Sequence, residues 1–244
     1  MPLLIDCTNA IGVPLMYDRS DAGYGVPVEG VRFKGTQKLY DALDGVRKDL
    51  KIIGWLRYIE YVLTAGLYVK KPGGHGDGTD IDIDGFVLVP NPLTEYLVKD
   101  KMVRVYEDGH YEGTTLVPGI QLYSLTDRIK TRLACLFSLR FPIVLTAGYN
   151  AAHEDHMHMS IAGEVGWRGS RSQVVCLQET LNAFYGDGMT TYPIDRGALK
   201  VDGVLGPRTQ HAWYEYFKST RSDQGQTWLD WLKMIAFDPP KDGA

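Results

Sequence analysis

His75-Gly-Asp-Gly78-Thr-Asp80-Ile-Asp82 and His153-Glu154-Asp155-His156-Met157-His158 are the two stretches that decide how this chain is read. Four of its six histidines fall there, so imidazole chemistry is concentrated rather than scattered. In the first stretch His75 and Asp82 offer a nitrogen and a carboxylate oxygen, with glycines between them that let the backbone fold back. In the second, His156 and His158 stand two apart, and strand alternation points both to one face. His75, Asp82 and a histidine of the His156/His158 pair make a three-donor set for tetrahedral zinc. Three protein donors leave a position for water, which is the layout of a catalytic site.

Plainer readings compete with this one. A lone His-x-His pair is ordinary in strands. Asp77, Asp80, Asp82 and Asp84 mimic a calcium loop, but they lack the Asp-x-Asp-x-Asp-Gly register with a glutamate at the twelfth position. His153 also reads as a solvated loop histidine. His110 and His211 have no motif around them, and Asp80 and Asp84 read as supporting or solvated carboxylates.

Composition sets the frame. A chain of 244 residues suits one large domain or two modest ones. Hydrophobic content of 44% and charged content of 23% are those of a soluble globular protein. A net charge of −4 gives no electrostatic case for nucleic acid. No apolar run reaches the roughly 20 residues of a membrane span. The start, Met1-Pro-Leu-Leu-Ile-Asp6-Cys7, does not read as a secretory signal. Three widely spaced cysteines, Cys7, Cys135 and Cys176, suggest reduced thiols and cytoplasmic synthesis.

Residues 1–34 are rich in turn formers and read as irregular. Leu39, Leu43, Val46, Leu50 and Ile53 recur at helical spacing and predict a helix over 36–54. Strands are expected within 55–69, over 81–89 (carrying Asp82), over 141–145 and from His156 onward, with a helix over 122–139. Gly163 to Ser170 reads as a linker. Beyond it Val174, Leu177, Leu181 and Phe184 share a helical face, and Pro207 suits the first turn of another helix. Trp213, Tyr214, Tyr216, Phe217, Trp228 and Trp231 read first as core, with two or three of them available as a sugar-stacking surface.

The motif His75-x-x-Gly78-x-x-x-Asp82, followed by Ile83-Asp84-Gly85-Phe86, resembles the zinc-binding segment of the D-alanyl-D-alanine carboxypeptidase/lysostaphin/sonic hedgehog superfamily. Phe141-Pro-Ile-Val-Leu145-Thr-Ala-Gly148-Tyr149-Asn150, running on to His158, resembles the second half of its extensin-like branch. Leu177-Gln178-Glu-Thr-Leu181-Asn182 and Val201-Asp202-Gly203 to Thr209 resemble the hallmarks of a three-helix peptidoglycan-binding domain. The expected fold is α+β. It comprises an irregular segment (1–34), a zinc peptidase domain with a small antiparallel sheet and flanking helices (35–165), and a small three-helix peptidoglycan-binding domain (170–240).

The resemblance implies Zn2+ held by His75, Asp82 and His158, polarising a water for attack on an amide carbonyl. Many relatives place a glutamate three residues before the last zinc histidine, and here that position is Asp155. Relatives with a His-x-x-His-x-His run put a histidine in the catalytic role. His156 and Asp155 are therefore joint candidates for acid/base work, with His156 first because imidazole titrates near neutrality; His153 follows them. Relatives carry an arginine for a substrate carboxylate where this chain has Lys70 and Lys71, and lysine lacks the planar fork. That departure favours an endopeptidase over a carboxypeptidase. Relatives also pair a cysteine at the Cys135 position with one before the zinc motif, but Leu67 to Lys71 holds none. The combined expectation is a monomeric, endolysin-like metallopeptidase of a bacteriophage. It would be made in the host cytoplasm without a signal peptide and would degrade the bacterial cell wall, with peptidoglycan as partner. The competing expectation is a catalytically inactive wall-binding or virion-associated structural protein.

Overall fold

Thr36 starts the first helix. Its side-chain oxygen accepts the Leu39 amide, satisfying one of the donors that a helix N-terminus leaves open. Helix α1 (Gln37–Ile52) then buries Leu39, Leu43, Val46 and Leu50 as a stripe, as the helical spacing predicts. The structure is a computed structural model, and it describes residues 3–7, 9–17, 33–64, 73–88, 102–104, 110–112, 115–117, 125–153, 156–185, 198–219 and 227–237.

Before α1 come β1 (Leu4–Cys7), β2 (Asn9–Ala10), β3 (Val13–Tyr17) and β4 (Phe33–Thr36). After it come β5 (Ile59–Thr64), the one-turn helix α2 (Gly74–Asp77), β6 (Asp80–Ile83), β7 (Gly85–Leu88), β8 (Met102–Arg104), β9 (His110–Glu112) and β10 (Thr115–Val117). Helix α3 (Leu125–Ser138), β11 (Ile143–Leu145) and β12 (Met157–Ser160) follow. Helices α4 (Arg171–Tyr185), α5 (Pro207–Ser219) and α6 (Trp228–Phe237) complete the order. The largest sheet runs β2-β3-β5-β7-β8, with only β3 and β5 parallel. An antiparallel sheet runs β11-β12-β6, and β1 pairs with β4 and β9 with β10. The fold is α+β, and the described residues include no helix long and apolar enough to cross a membrane.

Two expectations are corrected. The segment 1–34, expected to be irregular, carries three strands and the start of a fourth. Ile11, Val13 and Leu15 alternate into the core, and Ile11 and Gly12 turn the chain at φ 50° and 81°. The turn formers had masked that period-two pattern. The single strand expected over 81–89 is two strands in two sheets. Ile81 and Ile83 are buried in step, but the next buried side chain is Phe86, so the alternation slips at Asp84. There the Asp84 amide donates to Leu63 O, after which β7 joins β5 while β6 stays on β12.

The core does not stop at the 163–170 linker. Helix α3 packs against α4 and α6, and Cys176, Leu177, Leu181 and Phe184 share one buried cluster with Leu133, Leu136 and Phe137. Helix α4 is enclosed on all sides, with Ser172 through Phe184 buried. Its polar residues are therefore hydrogen-bonded, as buried polar groups must be. Gln178 accepts from the Asp202 and Gly203 amides and donates to Val204 O, and Asn182 both accepts from and donates to the Leu199 backbone. These contacts are the physical content of the Leu-Gln-x-x-Leu-Asn and Val-Asp-Gly patterns: one helix clamps the turn. Elsewhere Arg140 grips buried Asp49 of α1 with two 2.7 Å bonds. Cys135 and Cys176 are free and buried. Of the aromatic stripe, Tyr216, Trp228 and Trp231 are core, Trp213 is half-buried and Tyr214 is exposed.

Candidate metal centre

Alternation on two paired strands builds the centre. On β6, Ile81 and Ile83 turn into the core, which leaves Asp80 and Asp82 on the opposite face. On β12, Met157 and Met159 do the same for His158 and Ser160. The register sets His158 opposite Asp82 and Ser160 opposite Asp80. Directly opposed Cβ atoms lie about 4.5–5.5 Å apart, so an imidazole and a carboxylate are brought into bonding range by the ladder itself.

The third element is α2, which delivers His75. Gly78 closes this turn at φ 68°, a left-handed conformation that favours glycine, and its amide is directed at Gly74 O and His75 O. Thr79 Oγ1 bonds both Gly74 O and Asp80 Oδ1, each at 3.1 Å. A Cβ on Gly74 would fall 1.9 Å from Asp80 Oδ2, so the turn rests directly on that carboxylate. Thr64, fully buried on β5, donates its hydroxyl to Asp82 O and fixes the strand from behind.

His75 Nε2 lies 3.1 Å from Asp82 Oδ2, and His158 Nδ1 lies 2.8 Å from Asp82 Oδ1. His158 Nε2 is 3.4 Å from Asp80 Oδ2, and the His75 and His158 rings meet edge-on at 5.1 Å. Among the described residues, His75, Asp80 and His158 form the group whose donor atoms all lie within 4.8 Å of one another. By sequence the carboxylate place falls to Asp82, with Asp80 as a supporting or solvated carboxylate. In the structure both carboxylates reach the histidines, and Asp80 is the more buried. Its signal was present: Asp80 stands two residues before Asp82 and must share its face.

The electrostatics follow. Burial pushes the Asp82 carboxyl up, but hydrogen bonds from His158 and His75 and the charge of His75 and His156 overcome it and hold the group well below the carboxylate range. Asp80 is likewise lowered against burial, by His158, Ser160 and Thr79. Burial depresses His158, yet hydrogen bonds to Asp80 and Asp82 raise it to about 9.

The candidate proton-transfer residues stand beside this set. His156 Nε2 is 3.7 Å from Asp82 Oδ1. The His153 ring lies 5.2 Å from His156 and 5.8 Å from His158, so all three histidines of the second stretch gather here. Asn150 Oδ1 lies 2.7 Å from His153 Nδ1, and an amide oxygen accepts, so Nδ1 carries the proton. Tyr149 meets His153 edge-on at 5.7 Å. No spacing rule pointed to Asn150 or Tyr149. Asp155 and Glu154 lie outside the described residues, as do Lys70 and Lys71. His211 is exposed and His110 stands on β9, away from both metal-site strands in sequence and pairing.

Two imidazoles with one or two carboxylates, largely buried and held by a fixed ladder, could hold a metal ion. No protein-family model, no curated protein and no solved structure matches the chain.

Proposed function

We propose that this protein is a zinc-dependent peptidase of bacterial peptidoglycan, hydrolysing an amide bond in stem or cross-link peptides. The observation that carries this reading is the convergence of His75, Asp80, Asp82 and His158 on one sheet face, with His153 and His156 beside them. Three donor residues suit zinc in a catalytic role, and the sequence resemblance supplies the substrate class.

His75 and His158, with Asp82 or Asp80, would hold the ion. Zinc bound there would supply Lewis acidity, which lowers the pKa of water and polarises a carbonyl. The chain's own work is proton transfer and orientation. Asn150 holds His153 with its proton on Nδ1, so proton transfer at that ring falls to Nε2. His156 is anchored toward Asp82 and stands where it can take a proton from water or give one to the leaving amine. Asp155 remains the carboxylate alternative. The lysines at 70 and 71 favour internal bonds over a terminal carboxylate. Residues 170–240 are assigned to holding the wall, as in an endolysin.

Mass analysis of material released from purified sacculi tests this. Zinc-loaded protein should release fragments with new amine and carboxyl ends, chelation should stop release, and added zinc should restore it. Binding to sacculi with no new ends would replace the enzyme with a wall-binding protein. Cleavage confined to glycan would exclude a peptidase.

A further inference from the structure

The loop between β11 and β12 carries His153, yet much of what holds it comes from α4. Buried Glu179 accepts from Thr146 Oγ1 at 2.6 Å and from the Gly148 amide at 3.0 Å. Arg171, the first residue of the helix, donates from Nη2 to Tyr149 O at 2.9 Å and lays its guanidinium 4.6 Å from the centre of the Tyr149 ring. Tyr149 in turn meets His153 edge-on, and its neighbour Asn150 fixes the His153 tautomer. The fit is close. A Cβ on Gly148 would fall 2.2 Å from Glu179 Oε1 and 3.0 Å from Val201 Cγ1. A Cβ on Gly203 would meet Arg171 Cγ at 2.4 Å, so the 201–204 turn backs the arginine.

We propose that Glu179 and Arg171 are positioning residues for His153, so that α4 is part of the catalytic centre as well as of the wall-holding half. Each bonds the main chain of the loop rather than a neighbouring side chain alone, which is how distant groups fix a reacting imidazole. A buried carboxylate is retained here because two donors of the loop, one of them a backbone amide, aim at it. The catalytic meaning of the positioning rests on the peptidase reading; the positioning itself does not.

The test uses the full-length, zinc-loaded protein with Arg171→Met, Arg171→Lys and Glu179→Gln. Imidazole 15N shifts report the His153 tautomer, and kcat and KM are taken on a soluble muropeptide. The wild type should show His153 held in the Nδ1–H form. Arg171→Met and Glu179→Gln should let it mix with the Nε2–H form. They should lower kcat on the order of tenfold or more while zinc content and KM hold. Arg171→Lys, which keeps charge but lacks the fork, should fall between. If Glu179→Gln does not fold, Arg171→Met decides, because that side chain is only partly buried. An unchanged His153 tautomer in folded Arg171→Met would overturn the proposal. A wild type with the held tautomer but no peptidase activity would leave the positioning intact and remove the enzyme reading instead.

Discussion

His75 and His153 stand at the same centre and are held in different ways. The turn that carries His75 is fixed mainly by its own neighbours, with backbone bonds from Thr36 and Ile161 added: Gly78 closes it, Thr79 ties it to Asp80, and Gly74 lies on the Asp80 carboxylate. The loop that carries His153 is fixed from α4, through Glu179 and Arg171, some thirty and twenty residues further along. Local support is cheap in chain entropy and survives as a unit. Remote support exists only when the whole core has formed.

Removing residues 166–244 should break the second half most severely. The remaining fragment loses α4 and α6, against which α3 packs, and should unfold without a cooperative transition by circular dichroism. A fragment with a sharp transition and stoichiometric zinc would show that both halves of the centre are self-supporting. Next in size, His158→Ala should abolish stoichiometric zinc, measured by metal analysis, because a site with so few donors has none to spare. Comparing Asp80→Asn with Asp82→Asn sharpens this, since the variant that loses the metal identifies the ligating carboxylate.

His156→Ala should retain zinc yet lose on the order of 10²-fold in rate if it transfers the proton. Near-normal turnover would move that role to Asp155 or His153. Gly74→Ala attacks the locally built half. Its methyl group meets the Asp80 carboxylate, and it should cost about 1–3 kcal/mol of stability in denaturant unfolding.

A comparable effect is on pH dependence. In metal-free protein His158 is raised from 6.5 to about 9, so the folded state holds its proton more tightly than the unfolded chain. That contribution is complete below pH 6.5 and is lost as pH rises through 9. Chelator-treated protein should therefore lose stability across this window, and His158→Gln should flatten the profile. Zinc-loaded protein should not follow it, because ligation requires the neutral ring.

Legibility in the sequence followed the reach of each interaction. Helix α1, the Asp82 strand face and the His158 strand were readable because periodicity reports burial one residue at a time. Asp80 was readable by the same alternation, and its place was underrated because a carboxylate beside a motif is more often solvated. The break at Asp84 left a trace in the spacing of Ile83 and Phe86, but only the pairing partners explain it. The strands within 1–34 were hidden by turn residues. Glu179 and Arg171 had no local signal, because each acts through a contact that chain order does not encode; Asn150 acts only three residues along, but no periodicity singles it out.

The ladder that sets His158 opposite Asp82 joins residues 76 positions apart, and Glu179 lies later still. During synthesis, a chain emerging from the ribosome presents His75, Asp80 and Asp82 first, and they wait as an incomplete chelate. Only after β12 has left the exit tunnel can His158 dock opposite Asp82, and the loop of His153 gains its contacts from α4 later still. The centre is therefore completed in the order of translation: a product ended before β12 carries His75, Asp80 and Asp82 without His158, and none of the α4 contacts that hold the loop of His153.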